Sequence, residues 1–333
     1  MKKIKILFFG SKQYVSNMFN LHNKDYDYIL KFNEFNITED NVELAKGYDV
    51  VCVFVNDYVS RVIIEKLKEN GCKLIALRCA GYNNIDLSAT KEFGIPVVRV
   101  PEYSPYAVAE YAIGLLLTLN RKIHKAYNRV RESNFNINGL LGFDLHNKTI
   151  GVIGTGKIGQ IFIQIAKGFH MNVIAYDLYP NLDLEKKLCF NYVDLNTIYT
   201  QSDIIALHCP LNKDNKYLLN KDVFEKMKNN AYIINTSRGG LINTLDLIDA
   251  LKHNKIGGAA LDVYEEEEKY FFEDISENIL DDDILARLLT FNNVIVTSHQ
   301  AFFTQEALDN IAITTLNNIR SYFVDNKLLN SVI

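Results

Sequence analysis

At 333 residues the chain exceeds what one hydrophobic core comfortably serves, so two domains are expected. Hydrophobic residues make up 48% and charged residues 23%, an ordinary globular balance, and the net charge of −4 excludes the basic excess of a nucleic-acid surface. No run of about 18 apolar residues occurs, so no membrane span is expected, and five cysteines (Cys52, Cys72, Cys79, Cys189, Cys209) without a CxxC spacing argue against a disulfide framework and against any metal site.

The chain opens on MKKIKILFFGSKQY. Lysines before an apolar run begin some export signals, but this run is too short and no small-residue cleavage site follows. It reads as a first strand, and the chain is expected in the cytoplasm. DVVCVFV, KLIALR and IPVVRV read as further strands, and YVSRVIIEKLKENG as a helix closed by Gly71. Alternating strands and helices imply a parallel sheet covered on both faces.

PEYSPYAVAEYAIGLLLTLNRKIHKAYNRVRES predicts a long helix, with Ser104 as N-cap, Pro105 in the first position and a basic C-terminal end. Its middle is apolar on nearly every face, so burial all round is expected, inside a domain or between subunits, which argues against a monomer. A domain boundary is placed near Pro101. From Lys148 the pattern restarts: KTIGVIG, NVIAYD, DIIALHCP, AYIINTS, GGAALDVY and NVIVTSHQ are strand candidates, with GKIGQIFIQIAKGF and TLDLIDALKHNK as helices between them. That rhythm describes a doubly wound sheet. The acidic EEEEKYFFEDISENILDDDILARLL reads as a solvated loop with a short helix, and TQEALDNIAITTLNNIRSYF as a long amphipathic helix.

GVIGTGKIG carries the spacing GxGxxG at Gly154, Gly156 and Gly159. The first glycine makes a tight turn, the second admits a pyrophosphate to the backbone, and the third lets the helix pack close to the sheet. Asp177 ends the next strand, where a carboxylate accepts from ribose hydroxyls and repels a 2′-phosphate, so NAD is favoured over NADP.

Arg238, Glu267 and His299 stand at or just beyond the ends of successive predicted strands, which share the ligand-binding edge of a doubly wound sheet. An arginine clamps a carboxylate with two hydrogen bonds. A histidine donates a proton near neutral pH, and a carboxylate on its other nitrogen orients the ring and favours the imidazolium.

RCAGYNNID, VPEYSPYAVAE, GVIGTGKIG, LHCPL, NTSRGGLI, LDVYEEE and TSHQAFFTQEAL together resemble the D-isomer-specific 2-hydroxyacid dehydrogenases, in order over nearly the whole chain. The resemblance implies an α/β fold of two doubly wound parallel-sheet domains. A Rossmann NAD-binding domain, 102–299, would be inserted into a smaller flavodoxin-like substrate domain, 1–101 plus 300–333. It implies Arg238, Glu267 and His299 as the catalytic residues, with Glu267 selected from the four glutamates by its place five residues after Asp262. It implies NAD contacts from Thr155, Lys157 and Ile158 in the turn, and from Asp177, His208, Cys209, Pro210, Thr236, Ser237 and Asp262. Arg238 and His299 would also border the cofactor. Substrate contacts would come from Arg78, Ala80, Gly81, Tyr82, Tyr103 and Phe302 besides Arg238 and His299. Gly240, where relatives usually carry alanine or proline, departs from the pattern.

The expected activity is reduction of a 2-oxo acid by NADH, with pyruvate the first substrate. Bulkier 2-oxo acids, hydroxypyruvate and glyoxylate remain open, as does a dinucleotide-sensing corepressor. A homodimer or homotetramer is expected, without nucleic-acid or membrane partners.

Overall fold

The computed structural model describes residues 3–332. It forms two compact units: one ends at Ser104 and resumes at Phe303, and the other is Pro105–Phe302.

In the first unit, β1 (Lys5–Phe8), β2 (Ile29–Phe32), β3 (Val50–Val53), β4 (Leu74–Leu77) and β5 (Val97–Arg99) form an all-parallel sheet in the order β2-β1-β3-β4-β5. The residues of β3 and β4 are buried throughout, which is why VVCV and LIAL are continuously apolar. The edge strand β2 escapes the sequence pattern because ILKF alternates between exposed and half-buried positions with Lys31 in its middle. Helix α1 (Gln13–His22) follows β1. Helix α2 (Arg61–Glu69) begins later than expected, where the Ser60 hydroxyl accepts from the Ile63 N–H at 3.4 Å. Helix α3 (Leu87–Phe93) is capped by Asp86 and stopped by Gly94, whose φ of +65° suits glycine.

In the second unit, α4 (Pro105–Arg121) and α5 (Ile123–Arg131) replace the single long helix expected. Lys122 between them has a φ of +51°, which cannot continue a right-handed helix. Nor is α4 buried all round: Tyr106, Glu110 and Gly114, four residues apart, leave one stripe exposed. Seven parallel strands follow in the order β12-β11-β10-β9-β6-β7-β8. They are β6 (Thr149–Ile153), β7 (Asn172–Tyr176), β8 (Asn191–Tyr192), β9 (Ile204–Leu207), β10 (Tyr232–Asn235), β11 (Gly258–Leu261) and β12 (Val294–Val296). Six were legible; β8 is a two-residue edge strand, too short to show a period. The connecting helices are α6 (Lys157–Gly168), α7 (Leu182–Leu188), α8 (Leu195–Gln201), α9 (Lys221–Lys226), α10 (Thr244–Lys252) and α11 (Asp283–Leu289). Before α11, Tyr264 and Phe271 pack with Leu285 of that helix in a small core of their own, so the acidic stretch is anchored rather than fully solvated.

The chain returns to the first unit as α12 (Gln305–Phe323), capped by the Thr304 hydroxyl. It packs on α1, where His22 Nε2 and Asp309 Oδ1 lie 2.6 Å apart. The strand order of the first unit is flavodoxin-like and that of the second is the Rossmann order with one further strand.

Candidate active site

The glycine turn joins β6 to α6. Gly154 takes a φ of +100°, and a Cβ there would lie 2.6 Å from the His208 carbonyl carbon. A Cβ on Gly159 would collide with the Gly154 carbonyl oxygen. Gly156, the N-cap of α6, differs: a Cβ on it would meet nothing within 4 Å. Two glycines are thus demanded by packing within the chain, while the space before Gly156 is open and faced by the first turn of a twelve-residue helix. That cradle fits the pyrophosphate of a dinucleotide. Lys157 and Ile158 open the helix.

Asp177 follows β7 and is held by the same turn. Its Oδ2 accepts the Thr155 N–H at 2.7 Å and the Thr155 hydroxyl at 3.0 Å, and its Oδ1 accepts the Tyr179 N–H at 2.9 Å. His208, after β9, lies under the turn with its ring 4.6 Å from that of Phe162. Its Nε2 is buried without a hydrogen-bond partner among the described residues, and burial pushes its pKa down to about 3, so the ring is neutral. Burial pushes the Cys209 thiol up to about 11, which leaves it a poor nucleophile. The Pro210 carbonyl accepts from Asn215 Nδ2 at 2.7 Å.

Beyond β10, the side chain of Asn235 shapes the next segment. Its Oδ1 accepts the Ser237 N–H at 3.0 Å and its Nδ2 donates to the Arg238 carbonyl at 2.9 Å. Thr236 is buried and the Ser237 hydroxyl donates to the Cys209 carbonyl at 2.5 Å. The Arg238 guanidinium donates through Nη1 to the Ser237 carbonyl at 2.7 Å and forms no ion pair among the described residues, so most of its fork is available to an anion. The following Gly239 is required, because a Cβ on it would collide with the Tyr264 backbone. At Gly240 a Cβ would meet only the flexible end of Leu211 at 3.0 Å, so a small side chain there is tolerable.

The four glutamates after Tyr264 have separate fates. Glu265 accepts the Thr244 N–H and hydroxyl at 3.0 and 2.6 Å and so caps α10. Glu266 lies on the surface 3.5 Å from Lys269 Nζ, and Glu268 is also exposed. Glu267 alone reaches His299: its Oε1 is 2.7 Å from His299 Nδ1, and its Oε2 accepts the Tyr264 N–H at 2.9 Å. The side chains of His299 and Glu267 are only 16% and 12% exposed, so the pair is screened from water.

Asp262, fully buried after β11, organises the loop that carries His299. Its carbonyl accepts the His299 N–H at 2.7 Å. Its carboxylate accepts the Thr297 hydroxyl at 2.6 Å and the N–H groups of Gln300 and Ala301 at 3.0 and 2.8 Å. Burial pushes the Asp262 carboxyl up, and these donors oppose it. His299 itself has a φ of +50°. Arg238 and His299 therefore stand at the carboxyl ends of β10 and β12, with β11 between them. Asn235, Thr297 and the Tyr264 N–H were missed by sequence reasoning; the turn-forming asparagine in NTSRG was the one available signal.

In the first unit, Arg78, expected as a substrate contact, directly follows β4. It is 2% exposed, donates through Nη2 to the carbonyls of Phe9 and Gly10 at 3.1 and 2.6 Å, and lies over the Phe54 ring at 4.5 Å. It links the ends of β1, β3 and β4, while its Nε and Nη1 find no hydrogen-bond partner among the described residues. In the next loop, the N–H groups of Ala80, Gly81 and Tyr82 make no hydrogen bond among the described residues. The Ala80 carbonyl is fixed by Arg99 Nη1 at 2.6 Å, and the Arg99 guanidinium lies 5.0 Å from the Tyr82 ring. The Tyr103 carbonyl accepts from Asn310 Nδ2 at 2.7 Å. Phe302, in the second unit, is buried.

Residues 113–301 match the family described as D-isomer specific 2-hydroxyacid dehydrogenase, NAD binding domain. The chain belongs to this family of NAD-dependent oxidoreductases. Over 316 residues it is 52% identical to a 2-hydroxyacid dehydrogenase homolog of Haemophilus influenzae, covering 95% of both chains. It is 50% identical over 316 residues to the D-lactate dehydrogenase of Escherichia coli, covering 95% of this chain and 96% of that one. The apo structure of D-lactate dehydrogenase from Escherichia coli superposes with a TM-score of 0.91 at 46% identity, covering 99% of this chain and 100% of that one.

Proposed function

We propose that this chain is an NAD-dependent D-lactate dehydrogenase that reduces pyruvate to D-lactate. The observation that carries the reading is the Glu267–His299 pair at the carboxyl edge of a sheet whose glycine turn accommodates a dinucleotide. Similarity to a D-lactate dehydrogenase over almost the full length of both chains supports pyruvate as the substrate.

NADH, when bound, supplies the hydride that reduces the keto carbon. The turn Gly154–Gly159 would receive its pyrophosphate and Asp177 its ribose, with His208, Cys209, Pro210, Thr236, Ser237 and Asp262 along the nicotinamide side. With Nδ1 donating to Glu267, His299 is held so that Nε2 carries the proton delivered to the ketone oxygen. Glu267, bonded to Nδ1, holds the ring in the orientation that transfer needs. Arg238 clamps the substrate carboxylate and polarises the ketone through the part of its fork not engaged by Ser237. In the first unit, the N–H groups of Ala80, Gly81 and Tyr82 are assigned to the substrate carboxylate, with Tyr103 as an aromatic contact. Phe302 is assigned as a substrate contact in the second unit.

The assembly we assign is a homodimer or homotetramer. On the second unit, Phe135, Ile137 and Leu141 are 74, 79 and 88% exposed, and Ile123, Tyr127 and Val130 of α5 are also exposed. A second copy would cover this apolar surface. Light scattering after size exclusion tests it, with Leu141→Asp expected to shift the protein toward monomer. No helix among the described residues is long and apolar enough to cross a membrane. The cysteines are free thiols, which suits the reducing cytoplasm proposed as its location.

The deciding experiment is NADH oxidation with pyruvate, 2-oxoisocaproate and hydroxypyruvate as competing substrates, with the product's chirality determined. The highest kcat/KM with pyruvate and a D-lactate product are expected. A higher value with a bulkier acid would move the activity to a neighbouring 2-hydroxyacid dehydrogenase, and NADH binding without turnover would point to a sensor.

A further inference from the structure

The carboxylate assigned to the cofactor ribose is not an isolated side chain. Thr155 Oγ1 donates to Asp177 Oδ2 at 3.0 Å, and the same Oγ1 lies 2.8 Å from the Tyr192 hydroxyl. A threonine hydroxyl has one hydrogen, and an ionised carboxylate only accepts. The Thr155 hydrogen is therefore committed to Asp177, and Tyr192 must be the donor to Thr155. The result is a directed chain, Tyr192 to Thr155 to Asp177. Its origin is fixed in turn. The Tyr192 N–H donates to Glu185 at 2.8 Å, its ring packs edge-on to Phe190 at 4.9 Å, and its backbone pairs with Ala175 beside Asp177.

We propose that Tyr192 is a positioning residue for cofactor selectivity, holding Asp177 through the Thr155 hydroxyl so that the enzyme prefers NADH to NADPH. This rests on the assignment of Asp177 to the ribose. A carboxylate free to rotate swings away from a 2′-phosphate and discriminates weakly. Here Oδ2 receives both donors of Thr155 and Oδ1 receives the Tyr179 N–H, so the negative charge is fixed in place. A carboxylate accepts at about four positions. Three are used, which leaves one on Oδ1 for a ribose hydroxyl, whereas a 2′-phosphate would bring to it only like charge.

The test is direct titration of NADH and NADPH, read from nicotinamide emission; the chain has no tryptophan, so no indole emission interferes. Tyr192→Phe keeps the ring and removes the donor. It is expected to raise the NADH Kd about 2- to 10-fold, the worth of one hydrogen bond. The NADPH Kd should stay level or fall, so the preference shrinks by that factor. Asp177→Asn should shrink the preference more, and in that background Tyr192→Phe should change it no further, since both act through one chain. Thr155→Val breaks the same chain in its middle and serves if Tyr192→Phe lowers the melting temperature. An unchanged preference in Tyr192→Phe and Thr155→Val, with loss in Asp177→Asn, overturns the proposal. So does a full further loss on adding Tyr192→Phe to Asp177→Asn. A wild-type preference in Asp177→Asn overturns instead the ribose assignment beneath it.

Discussion

Glu267 Oε1 lies 2.7 Å from His299 Nδ1 while Glu267 Oε2 accepts the Tyr264 N–H, so the carboxylate that orients the imidazole is itself oriented by backbone. Only one nitrogen of His299 is left to face a substrate. A His–carboxylate pair built this way delivers a proton in one direction from one atom, as reduction of a ketone requires.

The first prediction separates the glutamates. Glu267→Gln keeps the shape but loses the charge opposite His299, and should lower kcat for pyruvate reduction about 10- to 100-fold with NADH binding kept. His299→Gln should lose about 100- to 10,000-fold. Glu266→Gln should change nothing measurable, since its contact with Lys269 is an exposed pair. Glu265→Gln should cost about 1 kcal/mol of stability by weakening the cap on α10. Steady-state kinetics and urea unfolding on the four variants check the pattern, and equal effects at Glu266 and Glu267 would contradict the assignment.

Arg238→Lys retains the charge and loses the planar fork. With one nitrogen of the arginine already on the Ser237 carbonyl, a lysine cannot serve both partners. KM for pyruvate should rise about 10- to 100-fold. An unchanged KM would remove Arg238 from substrate binding.

The buried, neutral His208 makes a prediction about acid stability. Its folded pKa is pushed down from 6.5 to about 3, so between those values the unfolded chain takes up a proton that the folded one does not. Stability from this group is complete above the unfolded value and is lost as pH falls toward the folded one, by at most about 1.4 kcal/mol per pH unit. His208→Phe keeps a ring against Phe162 and has nothing to protonate. Between pH 7 and 5 the wild-type protein should lose up to about 2 kcal/mol more than this variant in urea unfolding. Parallel stability–pH curves would refute it.

Gly239→Ala places a Cβ against the Tyr264 backbone, which also supplies the N–H holding Glu267. Overpacking of this kind costs about 1 to 3 kcal/mol. The melting temperature should fall, and kcat should fall beyond the loss of folded enzyme because Glu267 is displaced. Gly240→Ala, facing only the Leu211 side chain, should retain most of both. Thermal melts with kinetics at a temperature where both variants are folded distinguish them.

Much of this molecule was readable without coordinates because its signals are local. VVCV and LIAL are buried on both faces and show it. The glycine spacing is a short motif between a strand and a helix, and the arginine, glutamate and histidine follow strands whose direction the alternating pattern already implies. The edge strands β2 and β8 and the break at Lys122 were not readable. Edge strands bury too little to impose a pattern, and nothing in the composition of RKIHK marks a left-handed residue. The tertiary structure alone decided how the residues are used. It turned Glu267 to His299 and Glu265 to α10, although both belong to one run of identical residues. It turned Arg78 inward onto Phe9 and Gly10, and it tied Tyr192 through Thr155 to Asp177. Sequence determines which groups are present and which face of an element is buried; which partner a polar side chain finds depends on contacts between elements distant in the chain, and those exist only once the sheet is assembled.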